Sequence, residues 1–263
     1  MDLKLTGKTA IIAGGSKGIG AASARMLASE GANIFLISRD QASLEEFTGQ
    51  LREDSQCEVD FFAGDLTQEG TADKACEQAN NKFGRIDILV NSAGASQGGV
   101  FWEIPDEIWS DSFDLKFMAT IRMIRAAILY MRDQKYGRIV TIVGNAGRQP
   151  HPRTLPGAAA NAALLAVTKG LADEVAEDGV IINAINPGPT KTARWNTMMD
   201  NLASSSGSTV EDVEAGFTEN IPSGRLGEPE EIARMVAILS SDLAANMTGT
   251  SVTMDGGMTK AIA

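Results

Sequence analysis

Seven short apolar runs, separated by stretches of helical period, set the terms on which this chain can fold. KTAIIA (8–13) reads as a buried strand, and GIGAASARMLASEG follows it as a helix ending at Gly31. NIFLIS (33–38) is a second strand, after which Leu44, Phe47 and Leu51 fall on one helical face. VDFFA (59–63), IDILV (86–90), GRIVTIV (137–143), GVIINAI (179–185) and GTSVTM (249–254) complete the series. Strands that are apolar on both faces and spaced by helices predict a parallel sheet covered on both sides, an α/β fold. Helices are expected from about 107 to 133 and from 157 to 177. No repeat or linker interrupts the pattern, so residues 1–263 are read as one domain. The exception is 187–220, polar in its middle and apolar near Trp195, Met198 and Met199. A long irregular segment of this kind is read as a substrate lid, with a plain surface excursion as the alternative.

Charge narrows the partners. The formal net charge is -11, and an acidic surface repels nucleic-acid backbones and anionic membranes. No apolar run approaches the ~18 residues of a membrane helix, and MDLKLTGKTAIIAGG does not read as a secretory leader. The two cysteines, Cys57 and Cys76, have no metal-ligand spacing. The expectation is a soluble cytoplasmic protein with no metal site.

The first strand runs into AGGSKGIG. Glycines at 14, 15, 18 and 20 allow positive φ and let the backbone approach a pyrophosphate at the N-terminus of the next helix. Strand, glycine turn and helix in this order are the fingerprint of a doubly wound Rossmann-type sheet that binds a dinucleotide. The second strand ends in ISRD, where an acidic side chain would hold the ribose 2′-hydroxyl of NAD. Ser38 and Arg39 stand there instead, and Lys17 lies in the glycine turn. Two cations suit a 2′-phosphate, so the cofactor is expected to be NADP(H).

These motifs together resemble the classical short-chain dehydrogenase/reductase family over nearly the whole chain. GGSKGIG is similar to its glycine turn, bringing in Gly14, Ser16, Lys17, Gly18, Ile19 and Gly20, although Ala13 replaces the usual threonine. Asp65 and Leu66 resemble the pair that touches the adenine. NSAG resembles the family's NNAG and brings in Asn91, Ala93 and Gly94 beside the cofactor. NPGPTKT resembles the segment whose threonine, here Thr192, holds the nicotinamide carboxamide, with Pro187, Gly188 and Thr190 before it. GRLGEPEEIA (224–233) and MDGG (254–257) resemble its C-terminal landmarks. The resemblance implies a dimer or tetramer, and the two long helices are apolar enough to bury a face against a second subunit.

The resemblance breaks where the family keeps its chemistry. RIVTIVGNAG puts Gly144 at the family's serine, and ANAALLAVTKGLADE puts Gly157 and Asn161 at its tyrosine and lysine. The intervals of thirteen and four residues match without a gap. FDLKF is read as placing Asp114 at the family's asparagine. Glycine has no proton to give, and Asn161 can bond a ribose hydroxyl but carries no charge. The only tyrosines, Tyr130 and Tyr136, flank the turn before the fifth strand, at the opposite end of the sheet.

Three catalytic candidates remain: Asn161, which can bond a hydroxyl, and, for the acid/base role, the lone His151 in the loop after the fifth strand and Asp114 if it is buried. Arg148, Arg153 and Arg194 are expected at the pocket mouth, where they suit a small anionic substrate. The sequence therefore reads as an NADP(H)-dependent oxidoreductase of a small carbonyl, alcohol or enone with a rebuilt proton-transfer site. A non-redox lyase or isomerase and a catalytically silent NADP(H)-binding protein are the alternatives, since a fold does not fix a function.

Overall fold

The computed structural model describes residues 2–94 and 97–261. Seven parallel strands form one sheet in the order β3-β2-β1-β4-β5-β6-β7. They are β1 (Thr9–Ala13), β2 (Asn33–Ser38), β3 (Val59–Ala63), β4 (Ile88–Asn91), β5 (Gly137–Ile142), β6 (Val180–Pro187) and β7 (Thr250–Met254). All seven expected strands are present, within two residues at each end. The helices are α1 (Gly18–Ser29), α2 (Gln41–Asp54), α3 (Thr71–Phe83), α4 (Asp106–Ser112), α5 (Ala119–Asp133), α6 (Leu155–Val175), α7 (Ala193–Ser206), α8 (Val210–Thr218) and α9 (Pro229–Leu239).

The period-2 geometry of the strands sends alternate side chains to opposite faces. Ala10, Ile12, Ile34 and Leu36 pack under α1, α2 and α9, against Leu27, Leu44 and Val236. Ile11, Ala13, Phe35 and Ile37 belong to the other layer, with Cys76 of α3, Met123 of α5 and Ala172 of α6. Both faces are thus buried, which is why the strands read as continuous apolar runs. Cys76 is one of these core side chains, and burial pushes its thiol up to about 12, so it is inert packing.

Two features of the helices bear on function. The expected helix from about 107 to 133 is interrupted: residues Phe113–Met118 form one π turn between α4 and α5. Such a turn holds an extra residue and re-aims the side chains beside it. The segment 187–220, expected to be irregular, is largely a helical pair. Thr192 caps α7 by accepting the Trp195 N–H at 3.2 Å, and Thr209 caps α8 by accepting from Asp212 N at 3.1 Å. Trp195, Met199, Ile221 and Leu226 close a separate small core, with Phe217 edge-on to Trp195 at 5.2 Å between ring centres. Among the described residues no helix is long and apolar enough to cross a membrane.

Candidate active site

Strand order reverses between β1 and β4, and a crevice opens beyond the carboxyl ends of the strands at that point. The β1–α1 turn needs its glycines. Gly14 has φ +75°, and a Cβ there would lie 2.6 Å from the backbone nitrogen of Ala93. The turn can therefore sit against the end of β4 only without a side chain. α1 begins at Gly18 with no side-chain cap, which leaves its first N–H groups to an anion. The crevice has a volume of about 630 Å³. Gly14, Ser16, Lys17, Gly18, Ile19, Ser38, Arg39, Leu66, Ala93, Gly94, Pro187, Gly188, Thr190 and Thr192 all line it. Of the other expected contacts, Gly20 is buried in α1 behind the turn. Asp65 folds back, accepting the N–H of Thr67 at 2.9 Å and its hydroxyl at 2.8 Å. Asn91 is buried with its Oδ1 unpartnered.

One end of the crevice carries groups that could hold a phosphate. Ser38 Oγ is buried at the end of β2 without a hydrogen-bond partner. A buried hydroxyl left unpaired costs on the order of 1–3 kcal/mol, which a ligand oxygen there would remove. The Arg39 and Lys17 side chains stand exposed beside it. Lys17 lies 3.7 Å from Asp40 in a solvent-exposed pair that adds little. Asp40 is committed elsewhere: it accepts the Ser43 hydroxyl at 2.6 Å and the Ser43 N–H at 3.1 Å, capping α2. Those bonds, with Lys17 nearby, hold its carboxyl below the usual range. A ribose carrying a 2′-phosphate fits these residues.

The other end holds the residues expected to matter for chemistry. Gly144 follows β5 with φ +119°, and a Cβ there would lie 3.1 Å from Asn161 Nδ2. Asn161 is 5% exposed, its Oδ1 has no partner, and Gly157 is buried one turn before it on α6. The structure thus brings positions 144 and 161 together. Two residues of the π turn line the crevice, Leu115 and Lys116, and the sequence alone did not point to Lys116. It lies along Gly94: a Cβ there would sit 3.3 Å from Lys116 Cγ and 3.6 Å from Nζ. Burial, helped by the charge of Arg194, pushes its ammonium down to about 8. Arg194, at the start of α7, reaches back across the crevice and donates from Nη1 to the Gly94 carbonyl at 2.9 Å. Burial lowers its pKa as well.

Other candidates lie elsewhere. Asp114 is exposed and does not line the crevice; the π turn presents the residue two positions later instead. A signal was available, because Lys116, Thr120, Met123 and Ala127 share the helical spacing of the buried face. His151 is exposed, and its Nδ1 accepts the Arg153 N–H at 3.2 Å, capping a short 3-10 turn. Arg148 donates to Ser251 Oγ at 2.8 Å, and Arg153 is exposed; of the three arginines only Arg194 lines the crevice. The tyrosines are remote as expected. Tyr136 stacks under Lys8 and Arg138, donates to Asp242 at 3.4 Å, and is pushed up to about 12 by burial. No cluster of metal-binding side chains occurs among the described residues.

Comparison with known proteins bears on the whole chain. A family model described as Enoyl-(Acyl carrier protein) reductase matches residues 13–259. The 3-oxoacyl-[acyl-carrier-protein] reductase FabG of Escherichia coli is 31% identical over 256 residues, covering 97% of this chain and 99% of the relative. The crystal structure of L-sorbose reductase from Gluconobacter frateurii, complexed with NADPH and L-sorbose, superposes with a TM-score of 0.95 at 33% identity, covering 100% of both chains. YwfH, an NADPH-dependent reductase involved in bacilysin biosynthesis, superposes with a TM-score of 0.91 at 28% identity, covering 97% of this chain and 99% of the other.

Proposed function

The chain belongs to the short-chain dehydrogenase/reductase family, and from that premise we propose that it is an NADP(H)-dependent reductase of a carbonyl group on a small molecule. The observation that carries the reading is the phosphate end of the crevice: the unpaired Ser38 hydroxyl with Arg39 and Lys17 beside it. Ser38, Arg39 and Lys17 hold the 2′-phosphate, the start of α1 holds the pyrophosphate, and Leu66 flanks the adenine. Gly94, Pro187, Gly188, Thr190 and Thr192 form the nicotinamide end. Asn91 and Asn161, each with an unpartnered buried oxygen, orient the sugar and its surroundings. The bound dinucleotide supplies a hydride.

The α7–α8 pair acts as the substrate lid, and Arg194 at its root favours a substrate with an anionic group. The named relatives include reductases of oxoacyl chains and of a ketose, so these two carbonyl classes come first as substrates. The long faces of α5 and α6 serve a dimer or tetramer, and the protein works in the cytoplasm.

A second reading, a lyase or isomerase on the same scaffold, is favoured by the absence of a hydroxyl at positions 144 and 157. One assay separates the two. The protein is mixed with NADPH and, in turn, the N-acetylcysteamine thioester of acetoacetate, L-sorbose and an enone, and absorbance of the reduced cofactor is followed. Consumption of NADPH in step with alcohol formation is expected. Tight NADPH binding with no consumption on any carbonyl would overturn the reductase reading, and product formed without cofactor oxidation would establish the second.

A further inference from the structure

We propose that Lys116 is the proton donor of the rebuilt site, a catalytic residue that gives a proton to the carbonyl oxygen during reduction and takes it back during oxidation. The inference rests on the reductase reading. Its ground is geometric. Lys116 comes from the π turn, runs beside Gly94 and lines the same crevice as Gly144. Among the described residues no hydrogen bond or ion pair engages its Nζ. An ammonium drawn into the protein without a carboxylate is costly, and its place on the crevice wall gives that cost a use.

Surrounding groups leave it as the available acid. Positions 144 and 157 are glycines, and Asn161 has an amide. The first turns of α6, the end of β4 and the end of β5 carry no titratable side chain. Asp106, Glu107 and Asp111 of α4, and Asp114 of the π turn itself, are exposed. Among the described residues Arg194 is the one charged group acting on Lys116. Burial together with that cation brings the ammonium to about 8, where it is protonated at neutral pH yet gives up a proton readily.

The step balances. The carbonyl carbon gains the hydride that the reduced nicotinamide dinucleotide supplies, and the carbonyl π pair moves onto oxygen. An O–H bond forms there as one N–H bond of the Lys116 ammonium breaks. The amine left behind is reprotonated from water.

The test uses the full chain, with the acetoacetyl thioester and L-sorbose as carbonyl probes. In the wild type, kcat for reduction is expected to fall tenfold per pH unit above about 8, and kcat for oxidation of the corresponding alcohol to rise up to the same point. Lys116→Met is expected to lose about a hundred- to ten-thousandfold in kcat while binding NADPH, read by cofactor fluorescence, within about threefold of wild type. Lys116→Arg keeps the charge but cannot release its proton, and should be as slow as Lys116→Met. Independently of turnover, the ε-carbon resonance of Lys116 in 13C-lysine-labelled free protein, identified by its loss in Lys116→Arg, is expected to titrate near 8. Wild-type turnover retained in Lys116→Met, or a loss confined to NADPH affinity, overturns this inference and leaves the reductase reading standing. A resonance that titrates near the ordinary lysine value of 10.5 overturns it likewise. Absence of turnover by the wild type on every carbonyl, with NADPH bound, overturns both.

Discussion

The Lys116 ammonium weakens the fold for as long as it stays protonated. Its folded value, about 8, lies below the ordinary 10.5. Between those values the unfolded chain binds more protons than the folded one, so stability rises with pH across that window; below about 8 the penalty is fully present. The gap corresponds to roughly 3 kcal/mol. Lys116→Met is therefore expected to stabilise the protein at pH 7 by about 1–3 kcal/mol in urea denaturation, with the gain vanishing toward pH 10.5. A lysine kept for structure would give a loss instead. The backbone at Gly144 resists a side chain. At φ +119° a side chain is strained, and Gly144→Ser is expected to cost about 1–3 kcal/mol, read as a lower urea midpoint, without raising kcat. Gly144, Gly157 and Asn161 could be placed from the sequence because β5 and α6 fix their register. The spacing of Lys116 with Thr120, Met123 and Ala127 is legible in the sequence, but nothing in FDLKF marks the π turn that brings Lys116 rather than Asp114 to the crevice.

Elements differ in how plainly the sequence announced them. A strand buried on both faces leaves an unbroken apolar run, as β1 does, whereas the edge strands β3 and β7 are only partly buried and carry polar residues, Asp60 in one and Thr250, Ser251 and Thr253 in the other. The α7–α8 segment reads as irregular in the sequence because its serine-rich middle masks two capped helices. Its signals were local: threonines at both N-caps, and apolar residues at 195, 199 and 203 along one side. This pair rests on its own small core, which suits an element that opens and closes over a substrate. Trp195→Ala is expected to loosen the pair without unfolding the sheet. Hydrogen exchange should speed up in 193–218 and stay slow in β1 and β4, and the KM for the carbonyl substrate should rise at least severalfold. Uniform loss of protection across the molecule would show that the pair is part of the main core.

At the scale of the molecule, charge is sorted. The chain carries a net charge of -11, yet Lys17, Arg39, Lys116 and Arg194 line the crevice against one carboxylate, Asp40. A cationic cleft in an acidic body draws in an anionic cofactor and is sensitive to salt. Screening shortens from ~10 Å at 0.1 M salt to ~3 Å at 1 M, so NADPH affinity is expected to fall across that range more steeply than NADH affinity. In Arg39→Ala the difference between the two cofactors should shrink about tenfold. Equal salt slopes would show that Arg39 and Lys17 do not meet a 2′-phosphate. The most direct measurement follows the hydride itself. The protein is incubated with NADPH deuterated at the transferable position and the acetoacetyl thioester, and the product is analysed by mass spectrometry and NMR. One deuterium on the new carbinol carbon, in equal amount to the NADPH oxidised, is the expected result; a product that forms without deuterium, or NADPH left unconsumed on every carbonyl offered, would contradict the account.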